Sequence, residues 1–494
     1  NYSVIGPLEG NLSASSSGNQ SVDALWDLTD ITYVLRGTIV LAGRQRPPAG
    51  TTFTTPPPPN TSLTIQSALP GTLLADGTRI ASPGASVVVK LLSENNNQGA
   101  GTVDANGATG PGASVQAGAG FIAGYDDATD PTASPLIDPG VWTQIRILGV
   151  PGNQSTGQQR IPVIITSLRD TTVGTTARGQ VNNQILNSYP VGGRIAGQSL
   201  TAPQPGDGGT IRIGSSSETT FDLNDPRQGS LIDNADLRYL TRVEVQSGGG
   251  VVDPGTSGGS WLNVKAGYVR DPLTGGYDPS VQLNSRMALR VSDSHLDAFS
   301  DAGVYTHTTP AQAIVNGVRG SNQGGQGVTL YLYNNTFSNM PVGVAAYSQT
   351  GPNTGGQSPT ILVLLNNTFY NESQYGVHTS APGYDNTNSN SHVYTLAMNN
   401  IFSNIAGTAV ALDGQTPNSQ LQYNLFYNNG QNVTAGQFFG GNFGDKYGDP
   451  KFVDPANRNF ALQAGSAAID SGRSEIGQNV AGNAIYPTVT QSTT

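Results

Sequence analysis

Asp293, His295, Asp297 and Asp301 lie close together in the chain and carry the side chains that a glycoside hydrolase uses. That chemistry needs two or three carboxyl groups converging on one surface, one to protonate the leaving group and another to activate water. The two-residue spacing of Asp293, His295 and Asp297 puts them on one face if their segment is a straight strand. A second acidic group, Asp126, Asp127 and Asp130 in GYDDATD, offers hard oxygen ligands for Ca2+, but it matches no EF-hand or nonapeptide calcium repeat. Lyase chemistry needs a Lys or Arg base and a cation to neutralise the substrate carboxylate. Lys90 and Lys265 sit in strand-like runs with no acidic cluster near them in the chain. His378 and His392 stand apart from other ligand types, which argues against zinc. Trp26, Trp142 and Trp261 are too far apart to suggest a sugar platform. The reading favoured is no catalytic centre and no resident cofactor, with the acidic clusters as alternatives.

The elements that must position these residues follow from composition. Charged residues make up 11% of the 494, against about 25% in an ordinary soluble domain. The chain is rich in Gly (64 residues), Thr, Ser, Asn and Val rather than in helix formers, so an all-β fold with many turns is expected. No run approaches the length of a membrane-spanning helix. The net charge of −10 and only four lysines leave no basic stripe for nucleic acid. Cysteine is absent, so disulfides do not contribute. The chain begins at Asn1 with no apolar leader, which reads as a processed or partial sequence.

The decisive pattern is an internal repeat. LYLYNNTFSN (330–339), LVLLNNTFYN (362–371), LAMNNIFSN (396–404) and LQYNLFYNN (421–429) place Asn-x-Phe at Asn335, Asn367, Asn400 and Asn424. Their separations are 32, 33 and 24 residues. A weaker copy at 287–299 puts Ser294 and Leu296 in the Asn and Phe places. AGVYT (302–306), VGVAAY (342–347), YGVHT (375–379) and AGTAVAL (406–412) follow as second strands. The expectation is a right-handed parallel β-helix whose coils stack at about 4.8 Å, the ordinary interstrand spacing. Leu296, Phe337, Phe369, Phe402 and Phe426 then form an interior stack, and Asn335, Asn367, Asn400 and Asn424 an amide ladder at a bend. A β-sandwich gives no reason for one column of Asn-x-Phe. The same alignment puts Asp293 at the bend, so the acidic set is not expected to converge.

Residues 23–484 are read as one solenoid, with extended arms at 1–22 and 485–494. Within it, 23–92 form the N-terminal cap and first coils, 287–430 the clearest repeats and 448–472 the closing coil. GQTPNSQ (414–420) and APGYDNTNSNSH (381–392) are loops leaving one edge of the stack.

The segment GDPKFVDPANRNFALQAGSAAIDSG (448–472) resembles the closing motif of secreted bacterial right-handed parallel β-helix proteins. WDLTDITYVLRGTIVLAG (26–43), SLTIQSALPGTLL (62–74) and TSLRDTTVG (166–174) resemble parts of large planctomycete-type surface proteins. The resemblance implies an extracellular β-helix and no particular reaction. Of the Asn-Thr-Asp, Asp-Asp, Gly-His-Gly and Arg-Ile-Lys elements of galacturonan hydrolases, only the Asp-Asp of GYDD is found. The expected function is structural: a secreted surface protein whose copies stack head to tail, since contacts of that kind do not close. The alternatives are a glycan-binding adhesin and a polysaccharide lyase or hydrolase.

Overall fold

The computed structural model describes residues 12–13, 22–29, 31–35, 39–42, 61–69, 71–73, 77, 85–91, 119–123, 143–153, 155–170, 172–174, 202–213, 230–247, 287–308, 311–315, 318–323, 328–348, 360–380, 393–413, 419–435 and 442–473. Thirty of their strands fall into three ten-stranded parallel sheets that the chain visits in strict rotation, and Ala311–Val315 and Val318–Gln323 pair antiparallel outside them. Leu12–Ser13 opens the first sheet, Val22–Trp26 the second and Thr32–Leu35 the third. Gln431–Ala435, Asn442–Phe443 and Lys446–Tyr447 close them in the same order. Each rotation is one coil, and the whole is a right-handed parallel β-helix. Ten coils at the interstrand spacing give a rod about 48 Å long.

Sheets with one face on a shared core and the other turned outward should read as apolar alternation, and these do. In the second sheet Ile147, Ile232, Val291, Leu332 and Leu364 follow one another in register and are fully buried. In the third, the inward column runs Leu237, Leu296, Phe337, Phe369, Phe402, Phe426 and Tyr447. Consecutive rings from Phe337 to Phe426 stack with centroids 4.9, 4.7 and 5.2 Å apart and interplanar angles of 10° or less. Stacking at the coil spacing lets one ring cover the next, and the first-sheet backbone at Gly303, Gly343 and Gly376 packs close beside the rings.

The three corners differ in kind. From Leu231–Asp233 onward the second-to-third corners are tight: Asn334-Asn335 joins Val328–Tyr333 to Thr336–Ser338, and Asn366-Asn367 and Asn399-Asn400 repeat the arrangement. The first residue of each pair is left-handed (φ 53°, 57° and 59°), a conformation asparagine tolerates better than other side chains. Third-to-first corners reuse it at Asn339, Asn371, Asn404 and Asn428 (φ 57°, 59°, 60° and 51°). Of the longer connections, 248–286 and 381–392 join the first sheet to the second, whereas 92–120 and 168–209 join the third to the first. Both loops expected at 381–392 and 414–420 leave from the first-to-second corner.

The arms at 1–22 and 485–494 lie almost wholly outside the described residues, as do Asp126, Asp127, Asp130, Lys265, His392, Trp142 and Trp261. Among the described residues no helix is long and apolar enough to cross a membrane.

One expectation needs correction. Residues 448–472 do not add a closing coil to the stack. Phe452–Asp454 and Asn459–Leu462 pair antiparallel with each other, in a sheet separate from the three. Pro455–Asn457 forms a turn capped by the Asp454 carboxylate, and Arg458 follows in left-handed conformation (φ 61°). That reversal sends the second strand back along the first, which a parallel coil cannot accommodate.

Candidate functional site

The best-defined polar constellation is the ladder at the second-to-third corner. Asn367 Oδ1 accepts the Asn335 backbone N–H (3.0 Å) and Asn335 Nδ2 (3.1 Å). Asn400 Oδ1 does the same for Asn367 (2.9 and 3.0 Å), and Asn424 Oδ1 for Asn400 (3.0 Å each). The second amide proton of each donates back to a main-chain carbonyl: Val291, Leu332, Leu364 and Ala397 in turn. All four side chains are buried and every amide atom is used. Ser294 heads the column, its N–H donating to Asn335 Oδ1 and its hydroxyl accepting the Ala235 N–H.

The ladder ends in a carboxyl. Asp445 Oδ1 accepts from the Asn424 N–H (2.8 Å) and Nδ2 (3.2 Å), as an asparagine would, but its buried Oδ2 has no hydrogen-bond partner. Burial pushes the Asp445 carboxyl above its ordinary value, against the pull of the two bonds from Asn424. A second buried acid lies at the third-to-first corner. Glu372 is enclosed, its Oε1 accepting the Tyr370 N–H (3.1 Å) and its Oε2 unpartnered. Burial pushes this carboxyl well above the ordinary range. A raised folded-state value means that both groups favour folding below their unfolded values and lose that contribution as pH rises through the folded ones. Glu372→Gln keeps the acceptor and removes the charge. Its urea midpoint should match the parent at pH 4 and exceed it at pH 7; equal midpoints at both would refute a strained carboxylate.

Asp293, His295, Asp297 and Asp301 are not brought together. Asp293 sits in the corner (φ 50°), its carboxylate accepting from Asn334 Nδ2 (3.2 Å). His295 and Asp297 face outward from the third sheet, where the register sets His295 beside Asp236. Asp297 is buried and takes three bonds of 2.7 Å, from Ser338 Oγ, Asn339 Nδ2 and Arg458 Nε. Asp301 instead pairs with Arg242 of the first sheet (2.7 Å). A hydrolase pair flanking one bond is therefore not assembled by these four.

The third-sheet face is instead a network of ion pairs. Arg160 bonds Asp236 (2.8 Å), and Arg238 reaches both Asp236 (3.2 Å) and Asp170 (3.5 Å). Burial alone would raise the Asp236 carboxyl, but Arg160, His295 and Arg238 outweigh it and hold it below its ordinary value. Burial, then Arg160, Arg238 and Arg458, lowers the His295 imidazole against the opposing pull of Asp236. Lys90 points out of the core yet is 3% exposed, its Nζ donating to the Asp170 carbonyl (2.8 Å). The antiparallel hairpin lies over this same face: Arg458 binds Asp297, and Phe452 and Phe460 meet Tyr370 edge-on at 5.9 and 5.4 Å. Asn399 then clasps the Arg473 backbone through both its amide atoms (2.8 and 2.9 Å).

The two ends of the rod are unlike. At the upstream end Trp26 and Tyr33 stack at 4.8 Å and are 8% and 4% exposed. At the downstream end Phe443 and Tyr447 are 50% and 67% exposed, although Tyr447 continues the buried phenylalanine column. Among the described residues no strand pairs with the outer edges of the three last strands.

Sequence reasoning missed the corner asparagines 339, 371, 404 and 428, whose recurrence after each Asn-x-Phe was the available signal. His378, read as isolated, bonds Tyr347 and Asp413 in adjacent coils. Among the described residues no group of three or more potential ligands is placed to hold a metal ion. The chain matches no known family model, and no curated protein matches it as a relative.

Proposed function

We propose that this protein is an extracellular structural solenoid whose copies stack end on, head to tail, into a fibre or surface layer. The observation that carries the reading is the downstream end, where three strand edges are unpaired among the described residues and Phe443 and Tyr447 are exposed. Free edges of that kind are templates for another chain, and natural proteins normally blunt them. A low content of charged residues, 11%, limits repulsion between like surfaces. A head-to-tail contact is heterologous and continues indefinitely unless the rotation closes it. The resemblance of 26–43 to planctomycete-type surface proteins and of 448–472 to secreted bacterial parallel β-helix proteins supports a location outside the cell.

Sedimentation velocity across a concentration series tests the reading. The parent chain should give an open-ended series of rods, and Phe443→Asp with Tyr447→Asp should leave monomers with unchanged circular dichroism. A parent that stays monomeric at every concentration and salt, a series that stops at two copies, or a double variant that assembles like the parent would overturn it.

A further inference from the structure

The outward face of the first sheet carries a polar and aromatic row that neither the core nor end-on stacking uses. The register sets Tyr305, Ala345 and His378 in one outward column and Tyr347, Ser380 and Asp413 in the next. His378 is fixed at both ring nitrogens, with Nδ1 3.1 Å from the Tyr347 hydroxyl and Nε2 2.8 Å from Asp413 Oδ2. With its proton on Nε2 donated to Asp413, Nδ1 accepts from the tyrosine. Tyr375 stacks on the imidazole at 4.4 Å and 21°, and Tyr347 meets it edge-on at 5.5 Å. Tyr305 lies 5.6 Å from Tyr347 and beneath the Arg242 guanidinium at 4.2 Å.

The rings of Tyr305, Tyr347, Tyr375 and His378 are all partly exposed. The accessible charge along the row is negative, because the Asp301 and Asp413 side chains are 42% and 55% exposed. Arg242 is 1% exposed and already bound to Glu244 and Asp301, so it offers a ligand nothing. Burial pushes the Tyr305 hydroxyl up to about 12 and raises that of Tyr347 as well. Neither phenol becomes a base near neutral pH, so the row is built to hold rather than to abstract a proton.

Flat aryl faces repeated from coil to coil suit the C–H face of a pyranose, while flanking carboxylates accept from its hydroxyls. The same carboxylates repel uronates and sulfated sugars. We propose that this row is a binding site for a neutral linear saccharide lying along the rod axis. The site is independent of end-on stacking and shares no residue with the downstream edge.

Calorimetric titration of the full chain with cellohexaose, xylohexaose and mannohexaose, and with hexagalacturonate as the acidic arm, tests it. At least one neutral hexamer should bind, and the acidic one should not. Tyr347→Ala and Tyr375→Ala should each weaken binding at least about tenfold, roughly 1.4 kcal/mol. Asp413→Asn, which removes the exposed carboxylate charge and replaces one acceptor oxygen with a donor, should weaken it too. No binding of any neutral hexamer, preference for hexagalacturonate, or binding unchanged in all three variants would overturn the proposal.

Discussion

Replacing Asn400 with alanine is expected to lower the unfolding free energy by more than about 3 kcal/mol. The side chain is 1% exposed and serves two coils at once. Its loss leaves the Asn367 N–H and Nδ2 without their acceptor and takes the side-chain donor from the Leu364 carbonyl and from Asn424 Oδ1. Each buried polar group left unpaired costs about 1–3 kcal/mol, and a one-sided deletion incurs that penalty in full. Urea denaturation measures it. Asn366→Gly, one corner earlier, is the control: the residue is exposed and left-handed at φ 57°, which glycine adopts freely. That variant should stay within about 0.5 kcal/mol of the parent. If the two variants lose equal stability, the ladder is not what holds the corner.

Phe369→Ala is expected to cost about 3–5 kcal/mol, the usual range for a buried aromatic truncated to a methyl. Its ring lies between those of Phe337 and Phe402, at 4.9 and 4.7 Å, and is fully buried. Nothing across the core can move in, because the backbone beside it is also packed tight. A methyl added at Gly343 would fall 2.6 Å from Phe369 Cδ1 and 2.6 Å from the Gly376 carbonyl oxygen. Phe369→Leu should lose much less, since Leu296 already occupies the same column two coils upstream. A double-mutant cycle with Phe402→Ala should show coupling, because touching sites are not additive. Additive losses would mean that the rings contribute by burial alone.

The legibility of the fold follows from where the stack repeats its residue types. Between 330 and 429 each second-to-third corner reuses Asn and the inward position of each third-sheet strand reuses Phe, so that column is visible in the chain. Upstream, the same inward column holds Leu237 and Ile165, and the corner position holds Ala235, which carries no side-chain amide. Those coils stack as well, but through generic β-branched and leucine packing that leaves no distinctive mark. The short apolar runs at 62–66, 86–92, 144–148, 162–168 and 209–214 each hold a strand.

The polar partnerships were less visible, because stacking joins residues a whole coil or more apart in sequence. Lys90 meets Asp170 80 residues away, His378 meets Asp413 at 35, and Arg458 reaches Asp297 at 161. No local window contains either member's reason. The closing segment misled for a different cause: NFAL reads as a strand, but its direction depends on the Pro455–Asn457 turn and the left-handed Arg458. Asp293 alone of the acidic set is at the bend, as the alignment places it, in the column of Asn334 and with the same left-handed conformation.

End-on assembly requires that the exposed downstream coil of one copy continue into another. Cryo-electron microscopy of the concentrated full chain decides this directly. It should show filaments longer than the rod of about 48 Å, with the coil spacing of about 4.8 Å running unbroken across each junction between copies. Single rods only, or pairs joined downstream end to downstream end, would contradict it.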